Sequence, residues 1–138
     1  MLLVIWLRSV FGDRRVQHEV PIDVRPEENP TNEPEPDAIV TRGPLETYRD
    51  ANPRPEDLCL VVEVADSSLG LDLGPKAGLF ARAGIPEYWV LDAPKQRLIV
   101  HRSPDGDRYR TVVAYAPGES VAPLAAPEHA VAVSSLFL

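Results

Sequence analysis

The chain has 138 residues, with 14 basic and 21 acidic side chains and a formal net charge of −7. That length suits one domain over residues 1–138 and can bury a core without disulfide or metal staples, while the acidic balance argues against gripping nucleic acid by bulk charge alone. The single cysteine, Cys59, excludes an internal disulfide framework, a zinc ribbon and a CxxC redox pair, and makes a reducing, cytoplasmic setting the expectation.

Fifteen prolines, roughly twice average usage, exclude a bundle of long helices, because proline breaks helix interiors. The opening apolar run Met1 to Phe11 is too short to span a bilayer. No basic segment precedes it and no small-residue cleavage site follows, which argues against a signal peptide. Leu3, Trp6, Leu7 and Val10 recur at helical spacing, predicting one amphipathic helix packed on the core. That helix begins without a cap, as if the chain enters in mid-domain. After a Gly12-Asp13 turn, Val16, Val20, Ile22 and Val24 alternate at period two, predicting a half-buried strand over 16–24. Pro21 pushes this strand towards a sheet edge or a bulge. His18 shares the apolar face and reads as a satisfied core histidine.

Residues 25–36 hold four prolines and four glutamates and predict an extended, solvated acidic loop. A short strand over Asp37 to Val40 follows, then a polar loop from Thr41 to Pro55. Leu58 to Val64 is an apolar run of strand length, expected to be central and covered on both faces; Glu63 interrupts it. A helix comes next, with Asp72 as its N-terminal cap, Pro75 in its first turn and Gly84 at its C-terminal cap. Tyr88 to Asp92, Arg97 to His101 and Tyr109 to Tyr115 predict three strands, the last two joined through a Ser103-Pro104-Asp105-Gly106 turn. The apolar tail from Val131 to Leu138 is expected to dock. This order of elements implies a mixed sheet with helices packed against it.

No GxGxxG, GxxxxGK, HExxH or GxSxG pattern occurs, and His18, His101 and His129 are scattered. The chemistry available is that of carboxylates and lysines. Asp37 opens a strand, and Glu63 lies inside the most apolar one. A carboxylate there costs several kcal/mol unless it is paired, protonated or bound to a metal. On a helix turning about 100° per residue, Lys76 falls within the arc of Leu73, Leu79, Phe80 and Ala83 and points from the buried face. Two carboxylates on adjacent strands offer hard oxygen ligands that select Mg²⁺ or Mn²⁺, an ion able to polarise a phosphate, and a lysine from a packed helix can orient the attacking water or offset charge on the phosphate. A plain buried Lys–Glu ion pair, or an Asp72–Lys76 pair at i,i+4 spacing, satisfies the same residues without any function.

Four blocks carry a resemblance: Glu35-Pro36-Asp37-Ala38-Ile39-Val40, Val62-Glu63-Val64-Ala65-Asp66-Ser67-Ser68-Leu69, Asp72-Leu73-Gly74-Pro75-Lys76, and Ala83-Gly84-Ile85-Pro86-Glu87-Tyr88-Trp89-Val90-Leu91-Asp92. In this order the chain resembles the Uma-type putative restriction endonuclease family within the PD-(D/E)XK nuclease superfamily, over about residues 10–138. The resemblance implies an α/β (α+β) restriction-endonuclease-like fold: a mixed central β-sheet flanked by helices, here without the family's N-terminal hairpin. It implies that Asp37 is the PD aspartate and Glu63 the acidic residue of (D/E)XK. Ala65 stands where the usual lysine would be, and Lys76 on the following helix takes that role.

The implied function is Mg²⁺- or Mn²⁺-dependent cleavage of DNA by Asp37, Glu63 and Lys76, with Asp37 and Glu63 as metal ligands, in a cytoplasmic, non-membrane protein that forms a homodimer. The alternative is a catalytically inactive scaffold or interaction protein. It is motivated by the acidic charge, the absent local lysine and the missing N-terminal hairpin, whose acidic residue often completes the family's site. Tyr88, Trp89 and Asp92 match a motif that reads as mainly structural. Arg8, Arg14, Arg15, Arg102, Arg108 and Arg110 are the candidates for a local basic surface, against a reading as ordinary solvated faces.

Overall fold

The structure is a computed structural model that describes residues 2–24, 34–48 and 52–137. Most of the acidic proline loop lies outside the described residues; its last part, 34–36, carries no regular structure. Helix α1 (Leu2–Phe11) buries Leu3, Val4, Leu7 and Phe11, the stripe that the helical spacing predicts, with Trp6 and Val10 packed at its margin.

Six strands form one sheet: β1 (Val16–His18), β2 (Ala38–Thr41), β3 (Leu58–Ala65), β4 (Glu87–Asp92), β5 (Arg97–Asp105) and β6 (Arg108–Tyr115), paired in the order β1-β2-β3-β4-β5-β6. All neighbours are antiparallel except β3 and β4, whose parallel pairing requires the crossover that the helical segment between them supplies. Strand β3 is interior and covered on both faces, as its apolar run predicts. On one side Leu60 and Val62 meet α1 and the C-terminal segment in a core with Trp89, Leu91 and Val133. On the other, Val61 and Ala65 join Phe80, Tyr88 and Ile99. The tail docks through Val131, Val133 and Leu136.

Three details depart from expectation. Pro21 correctly signals an edge, since β1 is the first strand of the sheet, but the strand ends at His18. Glu19 takes φ 56°, which turns the chain out of the pairing and places Ile22 and Val24 in the Phe80 core. His18, the last residue of this edge strand, is exposed, not a core histidine. The β5–β6 turn lies later than Ser103–Gly106: pairing continues to Asp105↔Arg108, and Gly106 supplies the left-handed backbone, φ 64°, that a two-residue hairpin turn requires. Finally, the helix after β3 is two pieces, α2 (Leu69–Leu73) and α3 (Pro75–Arg82), broken at Gly74. Proline disfavours helical backbone in the residue before it but suits the first helical position, so the break falls at Gly74-Pro75. Gly74, not Asp72, is the cap residue of α3. The other end matches prediction: Gly84 has φ 76°, Gly84 N–H donates to Ala81 O and Ile85 N–H to Phe80 O, the paired bonds of a Schellman cap.

Candidate active site

The β2–β3 register places Ala38 opposite Val62, so Asp37, just before β2, lies beside Glu63. The two are tied reciprocally. Asp37 Oδ2 accepts the Val64 N–H at 2.6 Å, and the Asp37 N–H donates to Glu63 Oε1 at 3.4 Å. Glu63 faces the α3 side of the sheet, where α3 delivers Lys76: its Nζ donates to Glu63 Oε2 at 3.0 Å. The structure thus brings Asp37, Glu63 and Lys76 together at one end of the sheet, and the arc that places Lys76 on the inner face of its helix is observed.

A fourth residue joins them. Asp72 is 1% exposed, and its Oδ1 lies 3.4 Å from Lys76 Nζ yet accepts no hydrogen bond. Its Oδ2 accepts from Ser68 Oγ at 2.7 Å, and its backbone carbonyl accepts from the Tyr88 hydroxyl at 2.9 Å. As a helix cap it would have been solvent-facing; as the fourth residue of α2 it is buried against Lys76. The signal in the sequence is the i,i+4 spacing of Asp72 and Lys76, with Ser68 one further four-residue step before them.

The electrostatics follow from burial. Glu63 is 4% exposed. Desolvation, reinforced by the charges of Asp37 and Asp72, pushes its carboxyl up to about 7 against the pull of Lys76. For Lys76, partial burial acts to lower the pKa, but the Glu63 hydrogen bond and the charges of Glu63 and Asp72 outweigh it and raise it. A carboxyl whose folded pKa lies above its model value of 4.5 favours folding fully below that value and loses the contribution as pH rises through about 7. The difference corresponds to roughly 3 kcal/mol. Urea midpoints measured from pH 4.5 to 8 should therefore fall more steeply for wild type than for Glu63→Gln, whose amide does not titrate. Parallel curves would show that Glu63 is ionised throughout.

The donors available to a metal here are carboxylate oxygens. Among the described residues no group of three His, Cys, Asp or Glu side chains is arranged to hold a metal ion. Mg²⁺ does not need one, because it keeps several waters and binds through one or two carboxylates plus substrate phosphate. The adjacent pair Asp37 and Glu63 fits such an ion; a thiolate- or imidazole-preferring metal does not fit.

Most of the remaining conspicuous residues are engaged in contacts within the fold. Tyr88 holds the Asp72 backbone, Trp89 Nε1 donates to Glu87 and Asp92 accepts from Arg97. Arg15 is bound to Thr41 O and Arg102 to Glu87 and Ala122 O, while Arg14 pairs with Glu46. Arg8, Arg108 and Arg110 are exposed. A groove of about 220 Å³ between α3 and the β5–β6 hairpin is lined by Gly74, Ala77, His101 and Tyr109. Burial lowers the His101 pKa, and its Nδ1 lies 3.1 Å from Tyr88 O. No helix of the described residues is long and apolar enough to cross a membrane.

The model of the family described as Uma2, putative restriction endonuclease, matches residues 1–134. No match is found among curated proteins. Among solved structures, the chain is similar to a putative nuclease belonging to DUF820 from Anabaena variabilis ATCC 29413, with a TM-score of 0.69 and 16% sequence identity over 98% of this chain and 75% of that one. At that identity the likeness establishes the shared fold, a mixed sheet flanked by helices.

Proposed function

Since this chain belongs to the Uma2 family of putative restriction endonucleases, we propose that it is a Mg²⁺- or Mn²⁺-dependent endonuclease of the PD-(D/E)XK type that hydrolyses phosphodiester bonds in DNA. The observation that carries this reading is the convergence of Asp37, Glu63 and Lys76, with Lys76 Nζ 3.0 Å from Glu63 Oε2. Asp37 and Glu63 hold the cation. When bound, the cation supplies Lewis-acid polarisation of the phosphate and activation of water. The raised Glu63 pKa means that cation binding must compete with a proton near neutrality. Lys76, kept charged by two carboxylates, orients the attacking water or offsets charge developing on the phosphate oxygens. The Val64 N–H fixes one Asp37 oxygen, which limits the orientations of that carboxylate before any ligand arrives.

The test is incubation of the purified protein with supercoiled plasmid and with single-stranded DNA in EDTA, Mg²⁺ or Mn²⁺. Nicking or linearisation that appears only with a divalent cation is the expected result. Well-folded protein that cuts neither substrate under any of these conditions would overturn the reading and leave a nuclease-fold scaffold.

A further inference from the structure

Glu63 cannot serve two cations in the same way. Its Oε2 is the hydrogen-bond acceptor of Lys76, and a metal ion taking the Glu63 carboxylate displaces that ammonium or is repelled by it. A second acceptor is already in place. Asp72 Oδ1 is 3.4 Å from the same Nζ, is buried, and has no hydrogen bond of its own. At 3.4 Å that oxygen already pairs with the ammonium electrostatically, and a small shift of Lys76 would bring a full hydrogen bond onto it. Ser68 Oγ holds the other Asp72 oxygen at 2.7 Å, and Tyr88 OH holds the Asp72 backbone at 2.9 Å, so the acceptor is fixed in position. The distance to be covered is a side-chain adjustment, and the Lys76 side chain is 32% exposed, which leaves it room to make it.

We infer that Asp72 is the second seat of Lys76: the ammonium rests on Glu63 when the site holds no metal and transfers to Asp72 Oδ1 when a divalent cation takes Glu63. Asp72 is thus a positioning residue, one that lowers the cost of admitting the cation and keeps Lys76 beside the reacting phosphate. The inference rests on the proposed metal site, and the experiment separates the two.

Mn²⁺ is titrated calorimetrically into metal-free wild type, Asp72→Asn, Lys76→Met and the double variant. Asp72→Asn keeps the shape and the Ser68 contact but loses the charge, and its Mn²⁺ Kd should rise about tenfold, the scale of an outer-shell partner. Lys76→Met removes the competing ammonium, and its Kd should fall. In the Lys76→Met background, Asp72→Asn should change the Kd by less than about twofold, because no ammonium remains to be seated. Ser68→Ala, which only loosens Asp72, should weaken Mn²⁺ binding in the same Lys76-dependent way and replaces Asp72→Asn if that variant fails to fold. Equal losses in both backgrounds would reduce Asp72 to a general negative charge and overturn the inference, as would an unchanged Kd in Asp72→Asn. A wild type that takes up no Mn²⁺ would overturn the metal site itself, and the second seat with it.

Discussion

Asp37→Asn is expected to reduce metal-dependent cleavage of plasmid DNA by at least about a hundredfold while leaving the melting temperature within a few degrees of wild type. The separation follows from what the side chain does in the fold. One carboxylate oxygen accepts the Val64 N–H at 2.6 Å; an asparagine amide oxygen accepts it equally, so the backbone donor stays satisfied. What the amide cannot supply is the negative charge that, beside Glu63, binds a hard cation. Asp37→Ala differs in a useful way. It removes the charge and also strands the Val64 N–H, at a cost of about 1–3 kcal/mol, so its activity loss is mixed with a stability loss. Initial rates of supercoil loss in Mg²⁺, with thermal melts of both variants, check the prediction. Cleavage by Asp37→Asn at the wild-type rate would remove Asp37 from the cation site.

Arg102→Ala is expected to give the largest stability loss of any arginine substitution in the chain, about 3–5 kcal/mol, a melting shift of roughly 10 °C or more. Glu87 is 0% exposed, and its carboxylate is held by Trp89 Nε1 at 2.8 Å, the Leu124 N–H at 2.9 Å and Arg102 Nε at 2.8 Å. Arg102 also donates to Ala122 O at 2.6 Å, binding the segment after β6 to the sheet. Truncating the arginine leaves a charge buried with only neutral donors, the costly way to break such a pair. Replacing both partners, as Glu87→Leu with Arg102→Met, should recover only part of the loss: no orphaned charge remains, but Trp89 Nε1 and the Leu124 N–H lose their acceptor. Arg108→Ala, at an exposed position, should stay within about 0.5 kcal/mol. Chemical denaturation of the four proteins decides it: an Arg102→Ala loss below about 1 kcal/mol would show that water compensates Glu87 in its place.

Much of this molecule was legible before folding is considered, and the legible parts share a cause. The α1 stripe, the two-sided burial of β3, the cap at Gly84 and the place of Pro75 in a first helical turn each depend on neighbours within a turn or a strand. Glu63 could be singled out because a carboxylate in an apolar run needs a partner wherever the run folds, and Lys76 because its helical arc could be drawn from Leu73, Leu79 and Phe80. The errors were of another kind. His18 fits the alternation of Val16 and Val20, yet it is the last residue of an edge strand and lies exposed. Arg102 is chemically as fit for a phosphate as Arg108, and only the β4–β5 register, Glu87↔Arg102, commits it to the interior.

The sequence by itself therefore determined most of the elements, the buried faces of α1 and β3, and two of the three residues' need for partners, since periodicity, caps and the cost of a buried charge are local properties. The tertiary structure decided which groups meet. Asp37 reaches Val64 across 27 residues and Lys76 reaches Glu63 across 13, distances set by strand order and by how a broken helix lies on the sheet. It also buries Asp72, whose i,i+4 pairing with Lys76 the spacing foretells, because a side chain's solvent exposure depends on what packs over it, which no pattern of near neighbours encodes.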